Sequence, residues 1–254
     1  MPAPAADLSG KTACVTGGGR GLGRAIALAL AGAGADLALI GRSAEPLAET
    51  ARDCEALGVR ARPAVCDVTV RPQVDALFAQ IHKELGGPHI LVNNAGTSRQ
   101  SPILDFTDEN WQATLDLNLS AVFYCCRAAG RYMVPAREGK VINIGSSAGS
   151  RGRPNQVAYA ATKAGIMGFT KALAVEWAPH NIQVNCLAPG RFNTEMTRSR
   201  IEDEEANERF LRMTPMGRVP EIGEIGGLIL FLAGPGSGFM TGQAVHLDGG
   251  SSAL

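Results

Sequence analysis

Thr16-Gly17-Gly18-Gly19-Arg20-Gly21-Leu22-Gly23 stands between a short apolar run, Thr12 to Thr16, and a strongly helical stretch that opens at Gly21. Glycines at this density let a backbone turn sharply and approach a ligand closely. The free N–H groups at the start of the helix, together with its dipole, offer a dock for a pyrophosphate. A glycine-rich turn alone is weak evidence. A strand before it and a helix after it are the context a dinucleotide loop demands. Gly17, Arg20, Gly21, Leu22 and Gly23 are therefore candidate cofactor contacts.

Working outward, short apolar runs alternate with longer helical ones. Thr12–Thr16, Asp36–Ile40, Ala61–Cys66, Ile90–Asn93, Lys140–Gly145 and Gln183–Ala188 read as strands, apolar on both faces as in a buried parallel sheet. Helical stretches begin near Gly21, Ala44, Arg71, Asp108 and Gln156, and a late helix, Ile222–Ala233, precedes a last strand at Ala244–Leu247. The alternation predicts one doubly wound, Rossmann-type α/β domain over residues 1–254, with a mostly parallel seven-stranded sheet and helices on both faces. Its ligand belongs beyond the carboxyl ends of the strands, at the switch point. Residues 191–215 break the rhythm: polar, long for a connection, and acidic at Glu202 to Glu205. They read as a substrate lid, a solvated surface helix, or both.

The bulk composition excludes several function classes. The chain has 254 residues, with 24 basic and 24 acidic side chains, so nothing draws it to nucleic acid or an anionic membrane. Six cysteines without a C-x-x-C pair read as reduced, packed hydrophobes, and four histidines without ligand spacing, each read as a surface or loop residue, give no metal site. Met1 to Gly10 lacks a signal peptide's basic start and apolar core, and the longest apolar run, Ala25 to Ala35, is too short to span a bilayer. A cytoplasmic protein with a small-molecule ligand is expected.

The second strand ends in Ile40-Gly41-Arg42-Ser43, where a dinucleotide fold usually places an acid for the ribose 2′-hydroxyl. Asp36 lies at the wrong end of that strand. Arg42, joined by Arg20, would welcome a 2′-phosphate, so NADP(H) is favoured and NAD(H) stays open. Two solvated arginines are the plainer alternative.

Tyr159 and Lys163, four apart in Tyr159-Ala160-Ala161-Thr162-Lys163, share one face of a helix. A free tyrosine titrates near ~10, about three units too high for acid–base work at neutral pH, or roughly 4 kcal/mol. A cation at ~4 Å supplies about that much at an effective dielectric of ~20, and only ~1 kcal/mol in water. The pair works only in a partly desolvated cleft. Ser146 follows the fifth strand, thirteen residues before Tyr159, where its hydroxyl can share in polarising a substrate oxygen.

With these residues the chain resembles the short-chain dehydrogenase/reductase family along nearly its whole length. The loop spacing T-G-x-x-x-G-x-G is the family's, as is Asn93-Asn94-Ala95-Gly96 after the fourth strand. The resemblance implies that Asn94, Ala95 and Gly96 border the adenosine ribose and Asp67 and Val68 touch the adenine. It further implies that Pro189, Gly190 and Thr194 cradle the nicotinamide carboxamide, with Phe192 a further cofactor contact. Asn118, Ser146, Tyr159 and Lys163 match the catalytic tetrad: Tyr159 exchanges the proton, Lys163 lowers its pKa and holds the nicotinamide ribose, Ser146 orients the carbonyl, and Asn118 anchors a relay water. Thr241-Gly242 and Asp248-Gly249-Gly250 resemble the family's C-terminal segment. A homotetramer or dimer is implied, with the small-residue helix after Ser146 and the last strand at interfaces.

Substrate identity is less legible. His180 to Asn185 and Ala188 to Thr197 resemble gluconate 5-dehydrogenases and related sugar-acid or polyol reductases. Gln156 and the Tyr159 segment also resemble 3-oxoacyl-[acyl-carrier-protein] reductases, although Ala174-Val175-Glu176 lacks a basic residue before the glutamate, which weakens carrier-protein docking. Arg151, Arg153 and Arg191, in loops near the cleft, are candidates to meet an anionic substrate. The rival to an enzyme interconverting a carbonyl and a secondary alcohol is a non-catalytic NADP(H) sensor, which needs the glycine loop but not Ser146, Tyr159 and Lys163 together.

Overall fold

The computed structural model describes residues 6–195 and 197–254. Met196, inside the expected lid, and the first five residues of the N-terminal stretch lie outside them. Seven strands form one wholly parallel sheet in the order β3-β2-β1-β4-β5-β6-β7. They are β1 Thr12–Thr16, β2 Asp36–Gly41, β3 Ala61–Val65, β4 Ile90–Asn93, β5 Gly139–Ile144, β6 Ile182–Pro189 and β7 Ala244–Leu247. The helices are α1 Gly21–Gly32, α2 Ala44–Glu55, α3 Arg71–Leu85, α4 Asp108–Leu115, α5 Ala121–Ala136, α6 Val157–Trp177, α7 Arg198–Glu202, α8 Glu204–Arg212 and α9 Ile225–Ala233. The single doubly wound domain expected from the alternation is present.

Alternation along the strands builds two cores. Ala13 and Val15 of β1 face one side with Leu37, Leu39, Ile142 and Ile144, under α1, α2 and α9. Cys14 faces the other with Ala38, Leu91, Val141 and Cys186, under α3, α5 and α6. The six thiols are all buried and unpaired, and burial pushes Cys14 and Cys126 up to about 12. They act as small apolar side chains.

Three expectations need correction. β3 is not apolar on both faces: it is the sheet's edge, and Val65 is 64% exposed. The late helix is α-helical only from Ile225, because Ile222–Glu224 is a tight 3₁₀ turn closed by reciprocal Glu221–Glu224 capping bonds. His246, expected at the surface or in a loop, is half-buried within β7, with its Nε2 2.9 Å from Ser150 Oγ.

The site-bearing helix α6 is fixed in rotation by a buried polar chain. Asn93 and Asn143 sit side by side in the β4–β5 register. Asn93 Nδ2 donates to Asn143 Oδ1 at 2.9 Å, and Asn143 Nδ2 donates to Thr170 Oγ1 at 3.0 Å. Thr170 follows Lys163 by seven residues, two helical turns, so the bond that anchors one also aims the other. Thr170→Val keeps the shape and leaves the buried Asn143 amide without an acceptor. It is expected to lower unfolding free energy by about 1–3 kcal/mol in urea titration, with the midpoint shifted and the slope unchanged.

Candidate active site

The order of the sheet puts its switch point between β1 and β4, where the chain turns away in opposite directions. A cleft of about 580 Å³ opens there. One end is lined by Arg42, Asp67 and Val68, the middle by the glycine loop, and the far end by Ser146, Tyr159 and Lys163. Every cofactor candidate from the sequence lines this cleft.

The glycine loop is built for close approach. Gly17 has φ +67°, and its N–H donates to the Ile40 carbonyl at 2.7 Å. A Cβ on Gly23 would lie 2.0 Å from the Gly17 carbonyl oxygen, so only glycine lets the loop fold onto the first turn of α1. No side chain caps that turn and no acidic residue stands in it, which leaves it suited to a phosphate. Thr16 and Asn94 pin the loop to β4. Thr16 Oγ1 accepts the N–H groups of Asn94 and Ala95 at 2.9 and 3.0 Å, and Asn94 Nδ2 donates to the Thr16 carbonyl at 2.9 Å. The shape of the cleft, its glycine floor and its open helix start fit an extended dinucleotide.

At the β2 end, Arg42 is exposed beside Asp67, whose carboxyl is held below its usual range by hydrogen bonds from Thr69 and by Arg42. Asp36 is spent elsewhere, on Arg60 at 2.7 Å. Arg20 lines the cleft, but its guanidinium reaches Glu195 across the mouth at 2.8 Å. That partner, 175 residues away, has no local signal in the sequence.

The tetrad residues converge, each held by a different element. Lys163 is 4% exposed, and its Nζ donates to the Ile144 carbonyl at the end of β5 at 2.7 Å. It lies 5.7 Å from the centre of the Tyr159 ring. Burial drives its pKa from 10.5 down to about 8. At pH 7 roughly nine in ten such groups still carry the proton. Ser146 caps the turn Ser147–Gly149, with its Oγ accepting the Ala148 N–H at 3.1 Å.

Asn118 is fully buried in a π-helical turn, Asp116–Ser120, that separates α4 from α5. Its Oδ1 accepts the Thr97 N–H at 2.8 Å, and its Nδ2 donates to the Thr97 carbonyl at 2.9 Å and to Thr162 Oγ1 at 3.2 Å. The side chain thus clamps the loop after β4 to α6. Thr16 and Thr162 carry this arrangement, and in the sequence they stood inside the motifs without a role of their own.

Beyond Tyr159 a smaller hollow of about 60 Å³ is lined by Ser146, Gln156, Arg153 and Arg191, among others, but not by Arg151. Residues 191–215 contain the short helices α7 and α8, and Arg191 stacks over the Phe210 ring of α8 at 4.1 Å. Among the described residues, no helix is long and apolar enough to cross a membrane.

Comparison with known proteins agrees with this geometry. The profile described as short chain dehydrogenase matches residues 11–205. The chain is 40% identical to gluconate 5-dehydrogenase of Gluconobacter oxydans, over 96% of this chain and 95% of the other. It is 41% identical to a 3-oxoacyl-[acyl-carrier-protein] reductase of Chlamydia muridarum, over 96% and 98%. The crystal structure of a gluconate 5-dehydrogenase from Burkholderia cenocepacia, in complex with NADP and tartrate, superposes with a TM-score of 0.94, 38% identity and 97% coverage of both chains.

The buried lysine makes stability depend on pH. Between about 8 and 10.5 the unfolded chain keeps a proton that the folded chain has shed, so the burden of Lys163 on folding fades as pH rises through that window. Relative to Lys163→Met, the unaltered protein should gain about 1–3 kcal/mol of stability between neutral pH and pH ~10. Urea unfolding at both pH values measures this, and an unchanged difference would contradict it.

Proposed function

The chain belongs to the short-chain dehydrogenase family, and from that premise we propose that it is an NADP(H)-dependent oxidoreductase that interconverts a ketone and a secondary alcohol. The observation that carries the proposal is the meeting of Ser146, Tyr159 and Lys163 at one end of a dinucleotide-shaped cleft. A sensor that only bound nucleotide would not need them there. When bound, the nicotinamide supplies or accepts the hydride. Tyr159 exchanges the proton at the substrate oxygen, and the buried Lys163 ammonium makes its phenolate easier to form. Ser146 accepts one hydrogen bond within the protein and keeps its O–H to donate to the substrate carbonyl. Both amide hydrogens of Asn118 are committed, so its side chain fixes Thr97 and Thr162, and a relay water would rest on main-chain groups.

Arg42, and Arg20 once released from Glu195, favour the 2′-phosphate, with NAD(H) the second cofactor. The relative bound to NADP supports that preference. The substrate is a sugar-acid or polyol ketone, or a 3-oxoacyl thioester, as the named relatives suggest. Gln156, Arg153 and Arg191 are its candidate contacts, with Arg151 more remote, and residues 191–215 serve as the lid. We place the protein in the cytoplasm as a homotetramer, or a dimer. The outer face of α6 presents small exposed residues, Ala161, Ala164 and Gly168, and β7 is a half-exposed sheet edge, both suited to close packing of copies.

A carbonyl panel containing 5-ketogluconate and a 3-oxoacyl thioester, run with NADPH and with NADH, tests the proposal. Turnover of one of them is expected. NADPH should bind tighter than NADH, and Arg42→Ala should cut that preference by about tenfold. Tyr159→Phe should retain NADPH binding and lose at least ~100-fold in kcat. Equal affinity for the two cofactors in the unaltered protein would overturn the phosphate assignment.

A further inference from the structure

Arg191 links the substrate hollow to α8 of the lid. Arg191 follows Gly190 at the end of β6 and lines the small hollow that also holds Ser146, Tyr159 and Arg153. Phe210, on α8, is 3% exposed, and the Arg191 guanidinium lies over its ring at 4.1 Å. A planar guanidinium on an aromatic face is held in orientation as well as attracted, something lysine's ammonium cannot reproduce. The hollow is small, about 60 Å³, and adjoins the main cleft, with which it shares Ser146, Tyr159, Gly190 and Thr197. Two arginines line it together with the groups that handle the ketone oxygen. An anion bound there therefore belongs to the same short molecule as the ketone.

We propose that Phe210 is the positioning residue that sets substrate specificity: by holding Arg191 flat, it lets Arg191 and Arg153 read the carboxylate of a short polyhydroxy keto acid. The inference rests on the oxidoreductase reading and narrows its substrate class. It also gives the lid a function, because α8 carries the ring that holds the arginine gripping the substrate.

The test compares 5-ketogluconate with an uncharged ketose of equal carbon number, using NADPH. In the unaltered protein the keto acid should have the higher kcat/KM. Phe210→Ala should raise KM for the keto acid about tenfold, leave its kcat and the ketose kcat/KM within about twofold, and leave the NADPH Kd unchanged. Phe210→Tyr, which keeps the ring, should restore KM, and Arg191→Lys should raise KM for the keto acid as Phe210→Ala does. Equal losses on both ketones, or weakened NADPH binding, would mean that the ring merely supports the fold, and would overturn the proposal. So would a protein that reduces the uncharged ketose equally well, or only the 3-oxoacyl thioester, though in those cases the oxidoreductase reading survives. Absence of turnover on every carbonyl sinks both.

Discussion

An ammonium buried at the end of β5 organises the site. Lys163 is almost wholly removed from water, and a buried charge is tolerated only when it is well bonded. The Ile144 carbonyl provides that bond, and it ties α6 to the strand whose next residues lead into Ser146. Two further ties hold α6 on either side. Thr170 reaches the amide chain of β4 and β5, and Thr162 reaches Asn118 and through it Thr97. The phenol, the ammonium and the serine therefore rest on a frame of short buried bonds. None depends on a surface ion pair.

The mouth of the cleft is held differently. The Arg20–Glu195 pair has both side chains more than half exposed, and such pairs contribute ~1 kcal/mol or less. In the proposed complex the same arginine turns to the ligand's phosphate. Rigid chemistry at one end and a weak, exchangeable contact at the other suit a cofactor that must enter and leave on every cycle.

Much of this was legible in the chain because the decisive features are local. Tyr159 and Lys163 share a face by helix periodicity, and Thr16 to Gly23 is one continuous turn. The apolar runs marked all seven strands to within about a residue or two, as such boundaries allow. Less legible was whatever depends on distant partners. The exposure of β3 follows from its place at the end of the strand order, which no window of sequence reveals. Glu195 as the partner of Arg20, and Phe210 under Arg191, are products of the closed fold. Asn118 was found by its motif, but nothing in Asp116-Leu117-Asn118-Leu119-Ser120 distinguishes a π turn from an ordinary helix.

That turn has a consequence for length variation. A π turn amounts to one extra residue wound into an α-helix, and each residue of α-helix turns about 100°. Deleting a single residue between Asp116 and Ser120 would restore regular pitch and leave α4 and α5 close to their present phase, because the widened turn already absorbs the extra residue's rotation. The cost would fall on Asn118, the buried residue that the widened turn presents to Thr97 of the loop after β4 and to Thr162. The same deletion within the regular turns of α4 or α5 would instead rotate one end of that helix by about 100° against the other.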